Sequence, residues 1–267
     1  MTDSDGGHSA EARVDCEILD LDGAGRVARI TIDNRARLNV LSTPLIRQLT
    51  DAVRGLYGDP DLRAAILTGA GDRAFVGGAD VRELAALDTT SAYPYITRLH
   101  LACAAIRKMP VPVIARIDGY CLGGGMEVAV SCDLRVASSR STFGMPEVRL
   151  GIPSVIEAAV MTRLIGPGKT RQLVYTGESI DAGEAAGCGL VDKVVPPGDL
   201  DGTVDGWARA IATAGPRAIR LQKALVRRWD DIPLDHAIQA GMRSFTMAFA
   251  TDEPHQRMQE FLDRKRA

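Results

Sequence analysis

The sequence predicts an α/β protein with a further helical layer at its C-terminal end. Short apolar segments typical of buried strands alternate with longer segments of helical spacing through most of the 267 residues. The predicted strands are rich in alanine, isoleucine and valine and carry few charges, which indicates that most of them are covered on both faces. After Pro196-Pro197 only helical patterns remain, so the last part of the chain is expected to pack as helices alone.

Turn residues and helix caps divide the chain into elements. Asp22-Gly23-Ala24-Gly25 joins the strands of a predicted hairpin, Pro44 falls in the first turn of the next helix, and Met109-Pro110 ends the third helix. In chain order, the prediction comprises strands 16–21 and 27–32, helix 43–56 capped by Ser42 or Thr43, strand 64–68, a helix beginning at Asp80, helix 91–108, strand 111–117, helix 126–131, and strands 134–137 and 193–195.

Composition and charge exclude several classes of protein. A formal net charge of -2 and the absence of any long basic run argue against a nucleic-acid partner. No apolar stretch approaches the roughly 20 residues that cross a bilayer. The polar N-terminus lacks a secretory signal, so we expect no membrane partner and a cytoplasmic location, with residues 1–12 as a disordered lead. The five cysteines are scattered, with no histidine at metal spacing, which predicts free thiols and no metal site.

Two glycine-containing loops precede predicted helices. One turn contains Gly119, Gly123, Gly124 and Gly125, and the other is the segment 75–80, which reads Phe-Val-Gly-Gly-Ala-Asp. Backbone N–H groups at such a helix start are unblocked by side chains and suit an anion or a developing oxyanion. The glycine spacing is not that of a dinucleotide-binding loop. Two N–H groups from separate loops could form an oxyanion hole, although a tight connection explains either loop alone equally well.

Two glutamates follow these loops. Glu127 lies in the first turn of an apolar helix, where a carboxylate also complements the helix dipole, and Glu147 lies in a turn, where a solvated acid is equally expected. Together, two carboxylates beside an oxyanion hole can add water to a double bond or remove it. By contrast, Asp80 and Glu83 form a capping-box pattern, and helix capping is the preferred interpretation of those side chains.

At these residues the chain resembles the crotonase superfamily, also called the enoyl-CoA hydratase/isomerase family. The strongest stretch is PVIARIDGYCLGGGMEVAVSCDLRVASSRSTFGMPEVRLG, residues 112–151, and the resemblance extends from about residue 16 to residue 266. It implies a crotonase-like spiral of ββα units at residues 13–197 and a C-terminal helical region at 198–267 that builds trimers, commonly paired into hexamers. It also implies an acyl-CoA thioester substrate and no separate cofactor, because coenzyme A is part of the substrate.

The resemblance further implies roles for individual residues. Ala79 and Gly124 match the backbone donors of the oxyanion hole, and Glu127 and Glu147 match the catalytic acids of the hydratases. Arg82 falls where hydratases often place a basic residue near the coenzyme A phosphates, and segment 37–40 matches a loop near the nucleotide. The residues implied to contact the substrate or its coenzyme A portion are Arg37, Ala79, Asp80, Val81, Arg82, Gly124 and Ser154.

Two positions depart from the family pattern. Many hydratases follow the second glutamate with a glycine-rich PGxGG turn, whereas this chain has Pro153-Ser154-Val155-Ile156-Glu157, so that Ser154 replaces a glycine whose N–H helps to position water. Arg35 replaces a usual proline in the loop near the coenzyme A end. The expected function is a 2-enoyl-CoA hydratase. A Δ3,Δ2-enoyl-CoA isomerase, a dehydratase for a specialised acyl-CoA and a catalytically silent CoA-binding scaffold remain open alternatives.

Overall fold

The computed structural model describes residues 11–21, 23 and 25–264, and most of the predicted lead lies outside this range. The α/β class is confirmed by ten strands and eleven α-helices in the described part of the chain. The strands are β1 Arg13–Asp20, β2 Arg26–Asp33, β3 Leu62–Gly69, β4 Ala74–Val76, β5 Val113–Ile117, β6 Tyr120–Leu122, β7 Leu134–Ser138, β8 Thr142–Gly144, β9 Ser179–Asp181 and β10 Lys193–Val195. The helices are α1 Thr43–Gly55, α2 Val81–Ala85, α3 Ala92–Lys108, α4 Gly124–Ser131, α5 Ala158–Leu164, α6 Gly166–Thr176, α7 Ala182–Gly187, α8 Leu200–Thr213, α9 Pro216–Trp229, α10 Leu234–Ala248 and α11 Glu253–Arg264.

The strands form two sheets that the chain visits alternately. The larger sheet has the order β1-β2-β3-β5-β7-β10, and the smaller has the order β4-β6-β8-β9. β1 pairs with β2 as the predicted antiparallel hairpin, and the other pairs of the larger sheet are parallel. β3, β5 and β7 are each followed by a strand of the smaller sheet and then by one or more helices. This repeat is the spiral of ββα units that the family resemblance implies.

Both faces of the larger sheet are covered, as its composition predicts. Successive residues of a strand point to opposite faces, and in β3 the side chains of Ala65 and Leu67 enter the main core whereas those of Ala64 and Ile66 enter a second core. The second core is closed by α8, which contributes Leu200 and other apolar side chains to it. The first C-terminal helix therefore packs directly on the sheet.

The smaller sheet was not predicted, and it positions the two glycine-containing loops. Sequence reasoning assigned Phe75-Val76 and the segment 119–125 to loops, but the first lies in β4 and the second contains β6. The strands of this sheet have three residues each, too few to show an alternating pattern. Because β4, β6 and β8 are adjacent and parallel, the loops that follow them meet at one edge of the sheet.

The predicted helix start at Asp80 is confirmed, but Glu83 does not complete the capping box. The Asp80 carboxylate accepts a hydrogen bond from the backbone N–H of Arg82, as an N-cap side chain does. In a capping box, Glu83 would accept a hydrogen bond from the backbone N–H of Asp80. That N–H instead donates to the carbonyl of Leu41. Glu83 Oε2 instead accepts from the backbone N–H and the hydroxyl of Thr43, at 2.9 and 2.8 Å. Glu83 thus caps α1 from a different helix.

The last helices leave apolar side chains uncovered. On α10, Leu234, Ile238, Met242 and Phe245 are 74%, 53%, 59% and 69% exposed, and their spacing of three or four residues places them on one face.

Among the residues described, no helix has both the length and the apolar character that a membrane span requires.

Asn39 joins the loop before α1 to the loop after β3. It is buried with a φ of 54°, and its side-chain amide donates to the carbonyls of Ala70 and Ala74 while its Oδ1 accepts from the backbone N–H of Asn34. Asparagine tolerates this left-handed conformation better than most residues do. Segment 34–41 in turn binds the loop after β4, because Gly77 donates to the carbonyl of Leu38.

We expect Asn39→Ala to lower the free energy of unfolding by roughly 2–4 kcal/mol, because buried carbonyls lose their donor. Urea unfolding at fixed protein concentration would measure the change. The exposed substitution Arg54→Ala serves as a control and should have little effect. A similarly small change for Asn39→Ala would show that these hydrogen bonds do not stabilise the loops.

Candidate active site

A cavity of about 200 Å³ opens where the loops after β4, β6 and β8 meet. Its polar side is formed by backbone from the two predicted oxyanion loops together with both predicted catalytic glutamates. The lining residues are Gly77, Gly78, Ala79, Val81, Leu84, Tyr95, Ile96, Leu99, Gly123, Gly124, Glu127, Pro146, Glu147, Leu150, Ile152, Pro153 and Val155. The structure therefore brings Ala79, Val81, Gly124, Glu127 and Glu147 of the predicted site together.

Among the described residues, two backbone N–H groups at the cavity have no hydrogen-bond partner, and the backbone geometry explains why. Ala79 forms an isolated parallel bridge with Leu41, in which Leu41 bonds to the carbonyl of Gly78 and to the N–H of Asp80. Because successive backbone groups of an extended segment alternate in direction, the N–H of Ala79 points away from Leu41. Gly124 is the first residue of α4, where an N–H has no partner within the helix. An ideal Cβ on Gly124 would lie 3.7 Å from the nitrogen of Ala79, so the two groups are close.

Glu127 is buried with little to stabilise a negative charge. Its residue is 3% exposed, and Oε1 has no hydrogen-bond partner among the described residues. Burial, together with the nearby carboxyl groups of Glu147 and Glu157, raises the pKa of Glu127 to about 9. The backbone N–H of Ala158 opposes this rise in part. At neutral pH the side chain is therefore a neutral carboxylic acid.

The carboxyl group of Glu147 contacts Ser154 with one oxygen and Gly123 with the other. Its Oε2 accepts a hydrogen bond of 2.8 Å from the hydroxyl of Ser154, the residue that replaces a glycine of the family pattern. Its Oε1 lies over Gly123, where a Cβ would approach to 2.6 Å, so only glycine leaves room for the carboxyl group. Ser154 thus acts on the site through Glu147. Glu147 itself is the second residue of a 3₁₀ helix, Pro146–Leu150, rather than part of an irregular turn.

Sequence reasoning missed the apolar wall of the cavity. Tyr95, Ile96 and Leu99 line it from α3, and their spacing of one turn was the available signal for a common face. Leu84 on α2 and Val155 after the second glutamate extend the wall. These bulky side chains suit the hydrocarbon part of a ligand.

Of the residues predicted to contact the substrate or its coenzyme A portion, Arg37, Asp80 and Arg82 lie beside the cavity and do not line it. Arg37 donates to the carboxylate of Asp80 at 2.8 Å, and although burial raises the pKa of Asp80, the hydrogen bonds from Arg37 and from the backbone of Arg82 lower it overall. The Arg82 side chain is exposed and makes no ion pair within the described residues. Arg35 pairs with Asp33 on the surface. Of these groups, Arg82 is the one whose charge is available to a ligand.

The raised pKa of Glu127 makes a prediction about stability. Between the ordinary value of 4.5 and about 9, the folded protein keeps a proton that the unfolded chain releases. The free energy of unfolding should therefore fall as the pH rises through this interval, by up to about 1.4 kcal/mol per pH unit. Glu127→Gln lacks this contribution, so its stability relative to the wild type should increase with pH in urea unfolding. The matched variant of an exposed glutamate, Glu178→Gln, should show no such trend, and a pH-independent difference for Glu127→Gln would contradict the assignment.

Comparison with known proteins identifies the relatives of this chain. A sequence model of the family described as enoyl-CoA hydratase/isomerase matches residues 22–267. The chain is 34% identical to the short-chain-enoyl-CoA hydratase of Clostridium acetobutylicum over 92% of this chain and 95% of that protein. It is 36% identical to the crotonyl-CoA hydratase of Syntrophomonas wolfei over 94% of this chain and 97% of that protein.

The fold leads to the same relatives. The crystal structure of an enoyl-CoA hydratase from Bacillus anthracis superposes with a TM-score of 0.88 at 30% identity, over 93% of this chain and 96% of that one. The match covers the larger sheet, the smaller sheet and most of the helices, since nearly all of both chains is included. The chain belongs to the enoyl-CoA hydratase/isomerase family.

Proposed function

We propose that this protein is an enoyl-CoA hydratase, a carbon–oxygen lyase that adds water across the 2,3 double bond of a 2-enoyl-CoA thioester. The observation that carries the proposal is the meeting of two unpaired N–H groups, of Ala79 and Gly124, with the carboxyl groups of Glu127 and Glu147 at one cavity. The names of the two relatives support crotonyl-CoA as the first substrate to test.

The backbone donors supply the electrophilic part of the mechanism. With the thioester oxygen between the N–H groups of Ala79 and Gly124, the carbonyl is polarised and Cβ of the enoyl chain becomes electron-poor. When water oxygen bonds to Cβ, the electrons of the double bond move towards the thioester and form an enolate. The same two N–H groups stabilise the negative oxygen of that enolate, so they favour the transition state over the substrate.

The glutamates divide the proton transfers between them. Glu147, with its carboxylate oriented by Ser154, takes a proton from the attacking water and returns it to Cα of the enolate. Glu127, a neutral acid at physiological pH, donates a hydrogen bond and holds the same water in place. Arg82 is the exposed cation that supports binding of the coenzyme A phosphates.

An isomerase and a silent scaffold would not need all the groups that meet at this cavity. An isomerase moves one proton and needs a single base, whereas two carboxyl groups line this cavity. A silent scaffold has no use for a buried carboxyl group without a partner, because burying Glu127 lowers stability without contributing to ligand binding. A dehydratase for a specialised acyl-CoA would use the same groups in the reverse direction.

We expect Glu127→Gln and Glu147→Gln each to lower kcat for hydration of crotonyl-CoA by about 10²–10⁴-fold with a small change in KM, since glutamine keeps the shape but cannot exchange the proton. The double variant should be little worse than the worse single one, because both groups act on one water. Steady-state rates on crotonyl-CoA and on a 3-enoyl-CoA would separate hydratase from isomerase. Faster double-bond migration than hydration, with one variant remaining active, would refute the hydratase proposal.

We also propose that the protein assembles as a trimer or as a dimer of trimers. The apolar stripe of Leu234, Ile238, Met242 and Phe245 on α10 is wider than the isolated apolar residues of an ordinary surface. A second copy of the chain that covers this stripe would remove it from water, in agreement with the trimers implied by the family resemblance. The acyl-CoA substrate is then the only other partner required.

Light scattering should give a mass of three or six times the 28.5 kDa chain. Replacing Met242 and Phe245 by glutamate should shift the protein towards smaller species, because two charges would be buried in the interface. The surface substitution Arg243→Glu, on the same helix, controls for the added charge. A wild-type monomer at micromolar concentration would contradict the assembly.

A further inference from the structure

A third glutamate is buried next to the active site. Glu157, the residue before α5, is 2% exposed. Its Oε1 lies 2.9 Å from Nδ1 of His100 and 3.7 Å from Nη1 of Arg107, both on α3. Its Oε2 is buried and has no hydrogen-bond partner within the described residues. A carboxyl group in this position has two cationic or donating neighbours on one side and an unsatisfied oxygen on the other.

The carboxyl group of Glu157 belongs to the surroundings of Glu127. The backbone N–H of Ala158, the next residue, acts on the Glu127 carboxyl group, and the charge of Glu157 acts on it as well. Cys103 is buried on α3, which packs against α4, and α4 in turn packs against α5. Burial raises the pKa of the Cys103 thiol well above the usual value, so the thiol is neutral, and the carboxyl groups of both Glu157 and Glu127 lie near enough to act on it. Both carboxyl groups therefore face the same interior region, each with one unpaired oxygen.

Two adjacent buried carboxyl groups do not both ionise readily, because their charges repel in a medium of low dielectric constant. The surroundings decide which one keeps the proton. Glu157 has His100 and Arg107 beside it, whereas the groups that face Glu127 are Glu147, Glu157 and the neutral thiol of Cys103. Burial raises the pKa of Glu157 as well, but His100 and Arg107 oppose that rise, whereas none of the groups that act on Glu127 is a cation. The proton is therefore more stable on Glu127 than on Glu157.

We propose that Glu157, paired with His100 and Arg107, strengthens the hold of Glu127 on its proton and so helps to make Glu127 the acid of the active site. Glu157 is a positioning residue that acts through Glu127, and the inference rests on the proposed hydratase function for its role in turnover. The glycine-rich turn of many hydratases has no side chain at this point. Here Ile156, a β-branched residue, adopts a φ of 37°, a conformation suited to glycine, immediately before the buried carboxyl group.

The test is a pH titration of the glutamate carboxyl carbons by carbon-13 NMR, with the signal of Glu127 assigned by its loss in Glu127→Gln. In Glu157→Gln, which keeps the shape and removes the charge, the midpoint of Glu127 should move to lower pH by about one unit. The alkaline limb of the pH profile of kcat/KM for crotonyl-CoA should move in the same direction. Glu184→Gln removes an equal charge from α7 and should leave both unchanged.

The titration does not depend on turnover, so failure of the hydratase proposal can be recognised separately by the absence of hydration. An unchanged Glu127 midpoint in folded Glu157→Gln would overturn the inference, because a merely structural side chain would lower stability without moving a titration. If that variant does not fold, the carboxyl signals of the wild-type protein test the inference. At neutral pH its Glu157 carboxyl carbon should report an ionised group and that of Glu127 a protonated one, and the reverse arrangement would overturn the inference.

Discussion

The buried strand β4 can lie where it does because three glycines face its backbone. A Cβ on Gly69 or on Gly119 would lie 2.1 Å from a carbonyl oxygen of the segment that enters or forms this strand, and one on Gly125 would lie 2.2 Å from the carbonyl oxygen of Val76. No side chain fits at such distances. The end of β3, the link between β5 and β6, and α4 therefore all approach β4 closely, and the oxyanion loops that follow β4 and β6 come together as a result.

The two glutamates of the site have the same side chain but lie in different environments. Ser154 donates to Glu147, whereas Glu127 is enclosed by apolar groups and by other carboxyl groups. A hydrogen-bond donor favours an ionised carboxylate, and burial without a donor favours the neutral acid. In the proposed mechanism this difference in environment, and not in residue type, separates the base from the acid, at a cavity with no histidine among its lining residues.

The N-terminal hairpin, the helices α1 and α3, and the presence of Glu127 and Glu147 at one site could be predicted from the sequence. The helix 91–108 and the hairpin have enough residues to show their periodicity, and Glu127 and Glu147 stand in the most distinctive stretch of the family resemblance. The smaller sheet could not be predicted, because its three-residue strands are stabilised by tertiary pairing. The contacts of Glu157 could not be predicted for a related reason. Its partners are 30 or more residues away along the chain, as with His100 at a separation of 57.

Glu83 links the shape of the cavity to the start of α1. Its carboxylate caps α1 while its own helix, α2, carries Val81 and Leu84 into the cavity wall. A ligand that displaces α2 must break this cap, at a cost of about 0.5–2 kcal/mol. Under the proposed function, an acyl chain that pushes α2 outward would break this hydrogen bond as well as meet steric contact. We therefore expect chain-length selectivity to respond to substitution at Thr43, a residue that does not line the cavity.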